Sequence, residues 1–217
     1  MKSTVVTDQY RELLDREHRG DFGEEGLGPY IQWLGDNWKK VRELRSRVAS
    51  SLLAFVGTVD FTPIGKFLVR DHFKVDTSDT AVVKISRLGD SFKARFLDHG
   101  HFGIGESSLY YYDLRKDSTY IPIATELGGM MHITTRLGQI YALMARQSSG
   151  RSGVLLTNGY GNIFYTYDVN EALRAVCVGW NGDGWSVVDY SIWGQCEVVG
   201  TSRVFSCIGP AMSSAAL

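Results

Sequence analysis

Few features of this chain announce a function directly. It has only 3 cysteines in 217 residues, at positions 177, 196 and 207. They are odd in number, have no CxxC spacing, and nothing demands a bridge between them; in contexts such as "RAVCVGW" and "VFSCIG" they read as buried free thiols of a reducing compartment. Long hydrophobic runs are missing. The longest, "SLLAFV" at 51–56, is far too short to span a bilayer as a helix. The first twenty residues turn charged too soon for a signal peptide. The expectation is a chain made in the cytoplasm and not classically secreted. Charge of one sign is also missing: 23 Lys+Arg against 24 Asp+Glu leave a net charge of -1. That excludes nucleic acid as the partner of the whole surface, which needs a basic field. No GxSxG elbow, P-loop, GxGxxG after a strand or HExxH occurs, so no familiar nucleophile, phosphate cradle or metalloprotease site is predicted.

What is present points to β structure. There are 24 glycines against 4 prolines, 12% aromatics and 44% apolar residues, enough for a core of ordinary size and a β-rich composition. The hydrophobic period divides the chain in two. Residues 1–56 read as a helical arm. Pro29 opens its main segment, and Tyr30, Leu34, Trp38, Val41, Leu44, Val48, Leu52 and Phe55 recur at steps of three and four, one continuous stripe. Its other face carries Lys39, Lys40, Arg42, Arg45 and Arg47: a partner-docking surface, the one place where nucleic acid would fit, or a solvated face. Residues 57–217 read as an antiparallel, hairpin-built β domain, a sandwich or barrel. Ten stretches carry it, among them "KFLVRDHFKV", "SFKARFL", "SLYYYDL", "TYIPIA", "GVLLT" and "NIFYTYD", separated by turn signals at "RLGD", "RKDS", "NGYGN" and "NGDG". The class expected is therefore α+β, mainly β. "SRLGDSFKA" at 86–94 echoes "TRLGQIYAL" at 135–143, a spacing compatible with repeated four-stranded units. "ITTRLGQIYALMARQ" and "DVNEALRAV" also fit short helices.

Three side-chain sets carry possible chemistry. His99 and His101 lie one residue apart, followed by Glu106 and then His132. Two imidazoles at alternate positions of a strand face one way, and a carboxylate and a third imidazole could complete a shell for iron, manganese or zinc. This pattern resembles part of the cupin motifs, over some 35 residues, which implies a β-barrel metalloprotein. It departs from them at Asp113, Leu127 and Arg136, where the family has glycine, proline and asparagine. The second set is the hairpin "GWNGDGW": Trp180 and Trp185 with Asn181 and Asp183 suit sugar stacking and hydroxyl binding, or a plain cross-strand aromatic pair. The third is the basic helix. None is a convincing catalytic set, and no cofactor is expected unless the histidines bind a metal. The leading expectation is a non-enzymatic structural protein of a multi-subunit assembly, for which a phage head–tail or tail component of a virion is the natural example. Its partners would be other protein subunits. A cupin-like metalloprotein and a glycan-binding module stand as alternatives.

Overall fold

The computed structural model describes residues 52–98, 100–101, 103–130 and 133–209. The basic helix of Lys39, Lys40, Arg42, Arg45 and Arg47 lies outside the described residues. The elements run β1 (Leu53–Phe61), β2 (Phe67–Leu68), α1 (Val69–His72), β3 (Ile85–Leu88), α2 (Asp90–Phe96), β4 (Gly100–His101), β5 (Ser107–Leu114), α3 (Tyr120–Glu126), α4 (Leu137–Arg146), β6 (Asn162–Tyr167), β7 (Leu173–Trp180), β8 (Trp185–Ser191) and β9 (Arg203–Ser206). Seven strands form one sheet in the order β1-β5-β9-β6-β7-β8-β3, and β2 pairs with β4 apart from it. The sheet is mixed: β6–β9 and β3–β8 are parallel, and the other pairs antiparallel. It is open among the described residues, so the mainly β class holds while the purely antiparallel sandwich or barrel does not. No helix among the described residues is long and apolar enough to cross a membrane.

Helices cover both faces, which explains the sequence of the central strands. On one face Phe164, Val176, Trp185, Val187 and Phe205 pack with Phe92 and Phe96 of α2 and with Leu137, Ile140, Leu143 and Met144 of α4. On the other, Ile163, Tyr165, Ala175 and Val204 pack with Tyr120, Ile123 and Ala124 of α3 and with Leu127 at its C-terminal cap. A strand buried on both faces loses the apolar–polar alternation. "NIFYTY" is buried at every position but the last. Phe164 and Phe205 stack at 4.4 Å between centroids, and truncating either would cost about 3–5 kcal/mol.

Several short segments differ from their predicted state. "SFKARFL" is α2, and "TYIPIA" opens α3. In the first, Phe92 and Phe96 are fully buried while Ala94 between them is exposed, so the working period is four residues, not two. In the second, Pro122 sits in the first turn, where no intrahelical N–H is needed. "KFLVRDHFKV" holds only the two-residue β2 before the turn of α1, and "GVLLT" is irregular. Residues 53–56, counted into the helical stripe, belong to β1. The echoed "RLG" motifs are two helix starts: Gly89 caps α2, and Arg136 caps α4, its amide donating to Gln139 Oε1 at 2.8 Å.

Candidate functional site

The "NGDG" signal forms the hairpin it predicts. Trp180 of β7 pairs with Trp185 of β8, and Asn181–Gly184 make the connection. Asn181 N donates to Gly184 O at 3.2 Å, and Gly184 N to Asn181 Oδ1 at 3.3 Å. Gly182 takes φ +98°, a conformation that favours glycine. The two indoles meet edge to face at 5.2 Å. They do not share a role: Trp185 is 0% exposed within the core, while Trp180 is half-buried. As a sugar platform Trp185 is therefore unavailable, because its ring supports Trp180 from within.

The edge strand β3 reaches this hairpin through its parallel pairing with β8. Trp185 N donates to Lys84 O at 2.8 Å, and Ser86 Oγ donates to Asn181 Oδ1 at 3.2 Å. Any side chain at Gly184 would drive a β-carbon to 2.8 Å from Lys84 O, so that glycine permits the approach. A second segment, 147–156, closes the other side. The buried amide of Gln147 donates to Arg151 O and Leu155 O and accepts from Leu155 N, at 2.7–3.0 Å. Asn162 Nδ2 donates to Leu156 O and to Val178 O of β7, each at 3.0 Å. These two amides fold the segment so that Gly150, at φ +69°, lies on the Trp180 indole.

The result is an open cleft of about 560 Å³ lined by Thr77, Lys84, Ser86, Ser149, Trp180, Gly182 and Asp183. Lys84 Nζ is paired with Asp79 Oδ1 at 2.6 Å. The hydrogen bond from Lys84 holds the Asp79 carboxyl below its ordinary range. Of the predicted site residues, Trp180 and Asp183 line the cleft and Asn181 braces its rim. Thr77, Lys84, Ser86 and Ser149 were not predicted. They come from segments remote in sequence, brought here by the Asp76–Ile85 bridge, the β3–β8 pairing and the 147–156 fold.

The predicted metal ligands are not brought together by anything described. His99 and His132 lie outside the described residues, as does the side chain of His101, whose backbone pairs with Phe67. Glu106 is exposed before β5. The neighbouring Asp98 is engaged by Arg70. The described residues do not form the barrel that the cupin resemblance implies. Among the described residues no group of three or more His, Cys, Asp or Glu could hold a metal ion. Cys196 and Cys207 are exposed, contrary to the buried setting expected. Cys177 is half-buried: its sulfur lies against Gly161, and burial, followed by the nearby Cys196, pushes the thiol up to about 11.

Comparison with protein-family models, curated proteins and solved structures finds no match.

The most exposed aromatic side chain among the described residues lies elsewhere. Trp193, in the connection from β8 to β9, is 70% exposed, and Val199 in the same connection is also open. That connection is held at both ends. Ile192 is buried, Val198 exchanges backbone hydrogen bonds with Ser118 at 2.7 and 3.0 Å, and Gly200 N donates to Asp117 Oδ1 at 2.6 Å.

Proposed function

We propose that the chain is a non-enzymatic structural subunit that docks on other protein subunits of a larger assembly, a virion head–tail or tail component being the example its sequence organisation favours. The observation that carries this reading is Trp193. A tryptophan open to solvent on a connection anchored at both ends is ready for an interface, where Trp contributes more than most residues. Phe55 and Val56 on the edge strand β1 add apolar surface at 48% and 44% exposure. The anchoring means that little order has to be imposed when a partner binds.

Light scattering on size-fractionated full-length chain tests the reading. The expected result is a concentration-dependent oligomer that Trp193→Ser shifts toward the monomer. A chain that stays monomeric up to about millimolar concentration, where even weak contacts form, would remove it.

A further inference from the structure

We propose that the cleft beside Trp180 binds a neutral saccharide, with one sugar face on the indole and the hydroxyls on Thr77, Lys84, Ser86, Ser149 and Asp183. The volume, about 560 Å³, falls within the range of small-molecule sites, but such sites are mostly apolar with a few polar groups. Here the proportion is reversed: one aromatic surface and otherwise polar side chains. A ligand matched to that lining has a small apolar face and a rim of groups that both donate and accept. Saccharides have that chemistry. Serine and threonine hydroxyls donate and accept, lysine donates, and a carboxylate accepts, so every hydroxyl orientation finds a partner.

Charge narrows the class further. The ammonium of Lys84 already faces Asp79, and Asp183 stands on the lining. Among the described lining residues no uncompensated positive charge is left for a phosphate or sulfate, which would meet the carboxylates of Asp79 and Asp183 for the one cation of Lys84. The wall is also built in advance. Gly150 and Trp185 hold the Trp180 ring, and Asn181 receives the Ser86 hydroxyl. Binding therefore orders few side chains, which favours affinity. The open shape suits an oligosaccharide that continues past the cleft.

An array of neutral glycans probed with full-length chain, with hits measured by calorimetry, tests this. At least one neutral oligosaccharide is expected to bind saturably. Trp180→Ala should weaken it about tenfold or more, the loss of one aromatic contact, with partial rescue in Trp180→Phe. Asp183→Ala and Ser149→Trp alter exposed residues and leave folding intact, so they decide the matter even if Trp180→Ala unfolds: the first should weaken binding several-fold and the second abolish it by filling the cleft. Trp193→Ser should change nothing here, which separates this site from the docking surface. The proposal fails on a silent array, on a hit indifferent to Ser149→Trp, or on tighter binding of sulfated glycans or of single-stranded oligonucleotides than of neutral sugars.

Discussion

Gly150 lies directly on the indole of Trp180, so close that a β-carbon at 150 would fall inside the ring's van der Waals envelope, and its φ of +69° is one that other residues adopt with strain. Gly150→Ala therefore meets two penalties at once. It should destabilise the chain by about 1–3 kcal/mol in urea denaturation. It should also displace Trp180, read as a shift in tryptophan emission. An unchanged midpoint and spectrum would mean that the contact does not constrain the ring.

Arg174 and Asp189 form a second exacting pair. Arg174 donates to Asp189 Oδ2 at 2.8 Å across β7 and β8, and the carboxylate is wholly enclosed, with Oδ1 unpartnered. Arg174→Ala leaves that charge without its counter-ion, at a cost of about 3–5 kcal/mol. The double variant Arg174→Met, Asp189→Leu removes both charges beside Val176 and Val187, and should recover most of the loss. Denaturation of the three proteins checks this; a single variant as stable as the parent would refute the pair's importance.

Asp168 gives a pH dependence of definite sign. Burial works to raise its carboxyl, but hydrogen bonds from the Ala172 amide, Arg95 and the Asn170 amide outweigh it and hold the group below the ordinary range. A depressed folded-state value contributes stability above the unfolded value, near 3.9, and that contribution is lost as pH falls through the folded value. Stability should therefore fall from about pH 4 downward. In Asp168→Asn that part of the slope should be missing. Thermal melts between about pH 2 and 6 measure it, across the carboxylate range.

Metal content is the plain check on the histidine stretch. Protein never exposed to chelator is expected to carry less than about a tenth of an equivalent of iron, manganese or zinc, because a genuine three-His, one-carboxylate shell retains its ion through purification. Stoichiometric metal, lost in His99→Ala or His132→Ala, would restore the cupin-like alternative.

The segments that the sequence displayed well are those whose interactions are local. The Trp180–Trp185 hairpin needs only its glycines and its own cross-strand pair. "SLYYYDL" and "NIFYTYD" are dense in aromatic and β-branched residues, so β propensity dominates. "SFKARFL" was misread because Phe92, Ala94 and Phe96 fit a period of two as well as a helical step of four, and seven residues cannot separate them. Only packing against the sheet leaves Ala94 outside.

The same division holds for the cleft. Trp180, Asn181 and Asp183 could be picked out because aromatic and polar residues crowd one turn. Ser86 could not: it stands 95 residues from the Asn181 that receives its hydroxyl, and parallel pairing of β3 with β8 leaves no local trace in either strand. Composition and local period thus established a β-rich chain with a tryptophan hairpin. Tertiary structure decided that the sheet is mixed and open, that Trp185 is core while Trp180 is surface, and which distant side chains face it. The reason is physical: turns and strands are encoded by neighbours in the chain, whereas burial and parallel register depend on contacts that form only when the sheet assembles.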